Sequence, residues 1–256
     1  LTRRNLVSVA DGALHLIPFG LLRSERGLVR DHQALVMLPS AAALRGLRSL
    51  PAAPQPGEVA VIADPVYAED DPRLPAVAGS RIDPGLLRDA TRQAGVVQLR
   101  RLDHARGEAE NIAALVGSRA ALLQGFDARR PVLLERDWRQ DSLIHFAAHA
   151  LLNERRPDLS GIVLSTFDAD GNAIDGFLRA GDLYRLDLAA DLVVLGVCDS
   201  ALGPAPGAEG VFSLARAFHY AGAHRVLASL WLVDDRASAV FMRHYYHALL
   251  TEGYSA

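Results

Sequence analysis

Two residues of this chain combine a reactive side chain with a position at the end of an apolar run. His149 directly follows Leu143-Ile144-His145-Phe146-Ala147-Ala148, and Cys198, the only cysteine, directly follows Leu192-Val193-Val194-Leu195-Gly196-Val197. Short runs with no polar alternation mark parallel strands buried on both faces. In an open α/β sheet, side chains just past the carboxyl ends of such strands face the crevice where ligands bind. A small or polar residue follows each of the two, and Cys198 leads into a Gly/Pro loop and then a helix, so its thiol is expected to be presented rather than buried. A thiolate is a strong nucleophile, and a nearby imidazole can promote its formation or handle protons on a leaving amine. The chemistry these residues suggest is two-step acyl transfer through sulfur, with no metal and no cofactor.

A lone cysteine at a strand end is ordinarily a small buried hydrophobe, and nine histidines make some pairing a matter of chance. Against that stands the coincidence of two strand-end positions with a separation of 49 residues. Caspases place their histidine about 50 residues before their cysteine, although Val197-Cys198-Asp199-Ser200 lacks the glutamine that opens the caspase signature. On a strand His145 and His149 share a face, which raises a two-histidine metal site. No carboxylate or cysteine follows at ligand spacing, so His145 is expected to be a strand histidine satisfied by its neighbours. Asp168-Ala169-Asp170-Gly171-Asn172 hints at calcium, but the twelfth position of an EF-hand register would be Phe177, and a turn is expected instead. Gly203 to Gly210 has neither GxGxxG nor the Lys-Ser/Thr of a phosphate loop, which argues against a Rossmann-like small-molecule binder.

The elements that must position the pair can be read from hydropathy. Four apolar runs, Val59–Ala63, Leu143–Ala148, Leu192–Val197 and Arg225–Leu230, alternate with amphipathic segments over Glu108–Val116, Val211–Phe218 and Ala237–Leu250. This is the pattern of an α/β domain whose mostly parallel sheet is covered by helices on both faces. Residues 1–50 differ: Leu6–Val9 and Leu14–Phe19 flank Asp11-Gly12 and predict a hairpin, Leu35–Leu38 is a third short run, and Ser40 begins a helix. The Pro-rich stretch 51–57 divides this N-terminal strand and hairpin part (1–50) from the main domain (58–256). Residues 66–100 form a long Pro/Asp/Gly-rich excursion, and Gly161–Leu164 with Ala173–Phe177 predicts a hairpin around Asp168–Asn172.

Composition excludes several functions. The chain has 256 residues, 50% hydrophobic and 22% charged, enough to bury a large core. A net charge of −3 from 27 basic and 30 acidic residues, without a like-charged block, argues against direct nucleic-acid or membrane-surface binding. One cysteine excludes an internal disulfide and a thiolate-rich zinc site, no signal-peptide pattern is present and no apolar run could cross a bilayer, so a cytoplasmic location is expected. Opening on Leu1-Thr2 without an initiator Met, the chain is read as a piece of something longer.

Ordered motifs then accumulate around the pair: His145-Phe146-Ala147-Ala148-His149-Ala150, Ser160-Gly161-Ile162-Val163-Leu164-Ser165, Leu192–Ala201, Glu209-Gly210 leading to Ala217–Ala223, and Ala228–Asp235. Together with Asp11–Phe19, Leu38-Pro39-Ser40 and Ile62-Ala63-Asp64-Pro65, they resemble the CHAT domain over nearly the whole chain. That family is caspase-like, separase-related, and usually found behind tetratricopeptide repeats in bacteria.

The resemblance implies a cysteine endopeptidase with His149 and Cys198 as its dyad, gated by a repeat-containing sensor region, with the loops 66–100 and 202–210 as switch elements. It implies a protein substrate; the family's targets include pore-forming gasdermins and CRISPR-associated proteins, which points to a role in defence. Ala150 stands where the family usually has the glycine whose N–H helps bind the oxyanion, and alanine keeps that donor if the turn avoids positive φ. Gly196-Val197 replaces the more usual Ser-Ala before the nucleophile. Asp199, Ser229, Leu230 and Trp231 are implied to contact substrate, the last three by strand addition. Asp234 or Asp235 would enter a pocket for a basic residue, or else simply cap the helix that follows. The rival reading is a catalytically inactive caspase-like interaction module in a defence or signalling protein.

Overall fold

The computed structural model describes residues 4–10, 14, 17–38, 40–53, 56–75, 99–153, 156, 159–196, 208–229 and 233–253, with residues 4, 5 and 208–210 as backbone only. In the N-terminal part, β1 (Arg4–Ser8) pairs in parallel with β2 (Gln33–Met37), Leu6 opposite Leu35. The hairpin expected around Asp11-Gly12 lies outside the described residues. Phe19–Leu21, which begins at the last residue of the second run, is a 3-10 turn, and a hairpin joins Arg23–Ser24 to Gly27–Leu28. A turn signal is local, whereas the choice of a parallel partner is made by packing between distant segments. Ser40 begins α1 (Ala41–Arg48) as expected, its Oγ accepting from the Ala43 N–H at 3.1 Å.

The main domain runs β3 (Glu58–Ala63), α2 (Ala105–Val116), β4 (Ala120–Gln124), α3 (Arg130–Glu135), β5 (Asp141–Ala147), β6 (Ala150–Leu151), β7 (Gly161–Val163), β8 (Phe177–Arg179), α4 (Ala180–Leu183), β9 (Leu192–Leu195), α5 (Ala208–Tyr220), β10 (Arg225–Ala228) and α6 (Asp235–Thr251). Five strands form one parallel sheet in the order β10-β9-β5-β3-β4. All four expected strands are in it, although β10, expected to be central, lies at one edge; β4, at the other edge, was not anticipated. The short strands β6, β7 and β8 form a separate antiparallel sheet. Phe167 bridges Ala173 around the expected turn, where Asp168 Oδ1 accepts from the Asp170 and Asn172 N–H groups at 3.0 and 2.8 Å.

The period-two alternation of the strands divides the core. Val59, Val61, Leu143, Ala147, Leu192 and Val194 pack on one face against Ala109 and Ile112 of α2 and Met242 and Tyr246 of α6. Ala60, Ile62, Ile144, Phe146, Val193 and Leu195 pack on the other against Leu133 of α3 and Leu214, Ala217 and Phe218 of α5. Burying both faces explains why these strands carry unbroken apolar runs.

The turn from α5 into β10 depends on Gly222, whose φ is +117° and where an added Cβ would collide with the Leu188 carbonyl oxygen. Gly222→Ala should therefore destabilise the domain by more than about 1 kcal/mol, read as a lower urea midpoint with unchanged slope.

Candidate active site

β5 ends at Ala147, and the chain then bends through Ala148 and His149 into β6, which belongs to the small sheet. His149 is held at this junction by its own backbone: its N–H donates to Tyr67 Oη at 3.1 Å and its carbonyl accepts from the Val163 N–H at 2.8 Å. The buried ring donates from Nε2 to the carbonyl oxygen of Arg100 at 2.6 Å. A carbonyl can only accept, so Nε2 carries a proton. The Tyr67 ring lies 4.8 Å away, tilted by 50°. Burial pushes the Tyr67 phenol far above its ordinary value of 10, so it stays neutral and keeps a lone pair for the His149 amide.

Asp64 fixes the supports of His149. It ends β3 with a positive φ of 50°, and its carboxylate is only 2% exposed. Arg101 grips it through two bonds of 2.8 and 2.7 Å, and Arg73 reaches it at 2.9 Å. The Arg101 pairing anchors the backbone that presents the Arg100 carbonyl. Tyr67 is tied down separately: Thr166 Oγ1 donates to the Tyr67 carbonyl at 2.9 Å, and Tyr67 packs with Leu151, Val163 and Phe177. A cleft of about 340 Å³ opens beside these supports, bordered by Tyr67, Asp71, Leu99 and Arg100.

β9 lies next to β5 and ends at the same edge of the sheet. The register pairs Leu143 with Leu192, Ile144 with Val193, His145 with Val194 and Phe146 with Leu195, a constant offset of 49. Gly196 continues it, its N–H donating to the Phe146 carbonyl at 2.8 Å while its own carbonyl accepts from Ser238 Oγ at 2.5 Å. Cys198, Asp199, Leu230 and Trp231 lie outside the described residues.

The other sequence-predicted residues can be placed. Ala150 is buried in β6 opposite Ile162, and Asp64 is the one non-glycine residue with positive φ among those described, so the alanine is accommodated without strain. Ser229 follows β10 with its Oγ buried and unpaired among the described residues. The carboxylate of Asp234 caps α6, accepting from the Ala237 N–H at 3.0 Å. Asp235 Oδ2 accepts from the His104 N–H at 2.9 Å, its Oδ1 is buried and unpaired among the described residues, and burial raises its pKa. The rings of His145 and His149 serve different partners, His145 bonding Glu108 and Tyr246. Sequence reasoning missed Tyr67, Arg100 and Arg101. Asp64 belonged to a recognised motif without an assigned role.

The fold is an α/β domain built on a five-stranded parallel sheet covered by helices. The CHAT domain profile matches residues 1–256, and the chain belongs to that family, whose members are caspase-like and related to peptidases. Tetratricopeptide repeat protein 28 of Homo sapiens is 28% identical over 284 aligned positions, covering 96% of this chain and 10% of that protein. Its Mus musculus counterpart is 44% identical over 73 positions, covering 28% of this chain and 3% of that protein. The chain thus spans a tenth or less of the length of these relatives. Among the described residues no helix is long and apolar enough to cross a membrane.

Two measurements test the supports. Asp64→Asn leaves two guanidinium groups facing a neutral amide at a buried site and should lower stability by about 3 kcal/mol in denaturant unfolding. The Arg73 guanidinium bonded to Asp71 holds that carboxyl below its ordinary value of 3.8. A depressed folded-state pKa contributes stability that is complete above the unfolded value and disappears as pH falls through the folded one. Asp71→Asn should therefore flatten the stability–pH curve below about pH 5, measured by urea midpoints across the acid range.

Proposed function

We propose that this chain is a cysteine endopeptidase in which Cys198 is the nucleophile and His149 the proton carrier. The observation that supports it most directly is the register: β5 and β9 pair residues 49 positions apart, and 49 is also the separation of His149 and Cys198. In this reading the Arg100 carbonyl holds a proton on Nε2, and Nδ1 is the nitrogen that exchanges a proton with the thiol.

In the first half-reaction Nδ1 accepts the thiol proton, Sγ bonds to the scissile carbonyl carbon, and backbone N–H groups of Ala150 and Cys198 stabilise the oxyanion. The C–N bond breaks as the imidazolium returns its proton to the leaving amine, giving a thioester. Water, deprotonated by the same nitrogen, then attacks the thioester carbon and releases the acid and the free thiol. β10 is an edge strand, and its continuation through Ser229, Leu230 and Trp231 offers a route for adding a substrate strand. Asp199 contacts the substrate beside the nucleophile. Asp235, with one carboxylate oxygen unpaired among the described residues, suits a basic side chain better than Asp234, whose carboxylate already caps α6. The protein substrate is a cytoplasmic defence effector such as a gasdermin-like protein. A tetratricopeptide sensor region regulates the activity, a role suggested by the relatives' names.

A peptidyl electrophile should label Cys198 much faster than it labels free cysteine. Cys198→Ala should abolish labelling, and His149→Ala should slow it by about 10²- to 10⁴-fold. Reactivity no greater than that of free cysteine would instead favour a catalytically inactive interaction module.

A further inference from the structure

Beneath the carboxyl ends of β5 and β9 lies a buried polar chain that the proposed chemistry does not use. His145 points from β5 toward α2 and α6. Its Nε2 donates to Glu108 Oε1 at 2.7 Å, and its Nδ1 bonds Tyr246 Oη at 2.9 Å. Glu108 is 2% exposed, His145 and Tyr246 0%. The second carboxylate oxygen, Glu108 Oε2, is buried without a hydrogen-bond partner among the described residues.

Such a trio carries a large desolvation cost, and apolar side chains of the same volume would stabilise the core at least as well. What it offers instead is direction, because each hydrogen bond permits one arrangement of the elements that it joins. Those elements meet at Gly196. A Cβ at residue 196 would stand 3.0 Å from His145 Cε1 and 3.1 Å from both Glu108 Oε1 and His145 Nε2. The Gly196 amide is fixed by Phe146 and its carbonyl by Ser238 of α6. The residue that follows β9 is therefore seated directly on the Glu108–His145 bond, two positions before Cys198 in the sequence.

We propose that Glu108, His145 and Tyr246 are positioning residues that fix the end of β9 and, through it, the backbone leading to Cys198. The part concerning Cys198 rests on its reading as the nucleophile; the part concerning the strand end does not. A Cβ at residue 196 would crowd the network and push its side chains aside, which accounts for a glycine inside an otherwise β-branched and leucine-rich run.

The test uses the whole chain with Tyr246→Phe and Glu108→Gln, which keep side-chain volume, and Gly196→Ala as the steric counterpart. Amide hydrogen exchange is followed in the peptide covering 192–203, in peptides of β3 and α3 as references, and alongside the rate of Cys198 labelling by a peptidyl electrophile relative to iodoacetamide. The expected result is at least tenfold faster exchange in the 192–203 peptide with less than twofold change in the references. The peptidyl-to-iodoacetamide rate ratio should fall by tenfold or more. Exchange that is unchanged in 192–203, or faster by the same factor everywhere, would overturn the proposal and reduce the trio to ordinary core. Locally faster exchange in a chain whose Cys198 is no more reactive than free cysteine would uphold the strand-end role and reject only the nucleophile.

Discussion

The register between β5 and β9 is the constraint on which the site depends. Parallel neighbours keep a constant offset, here 49 residues from Leu143 opposite Leu192 to Phe146 opposite Leu195. Both faces of these strands are packed, and a one-residue slip would exchange every side chain between the two halves of the core. The large apolar core therefore also locks the relative position of the two strand ends. The strands contribute alignment, and in the proposed function the residues that follow them contribute chemistry.

His149 shows how such an end is finished. Its backbone joins the central sheet to the small antiparallel sheet, and its ring is oriented by the Arg100 main-chain carbonyl. The negative charge that secures this arrangement stands one step back, on Asp64, which holds Arg101 and Arg73. Two layers of polar contacts thus support the strand ends: Asp64 and its arginines beside His149, and Glu108–His145–Tyr246 under Gly196.

Much of this was legible in the sequence, for identifiable reasons. Strands buried on both faces announce themselves as apolar runs, so β3, β5, β9 and β10 could be read, and Ser40 marked the start of α1 through its capping side chain. β4 was missed because Ala120-Ala121-Leu122-Leu123-Gln124 has no β-branched residue to separate it from a helix, and because it lies at an edge with Leu122 exposed. The parallel pairing of β1 with β2 was missed because its partner lies beyond a stronger local turn signal. Within the site, His149 could be found from its strand end, but a supporting backbone carbonyl such as that of Arg100 has no residue-type signature. Asp234 carried two readings in sequence, pocket and cap, and the cap is the one its carboxylate makes.

The central claim is that the shared offset brings positions 149 and 198 face to face. With a single native cysteine, the most direct measurement is His149→Cys followed by mild oxidation and non-reducing peptide mapping. Disulfides form readily only when Cα atoms lie about 4.4–6.8 Å apart. The account predicts a near-quantitative intramolecular 149–198 disulfide. Two thiols that stay free, or that form only intermolecular links while the chain remains folded, would contradict it.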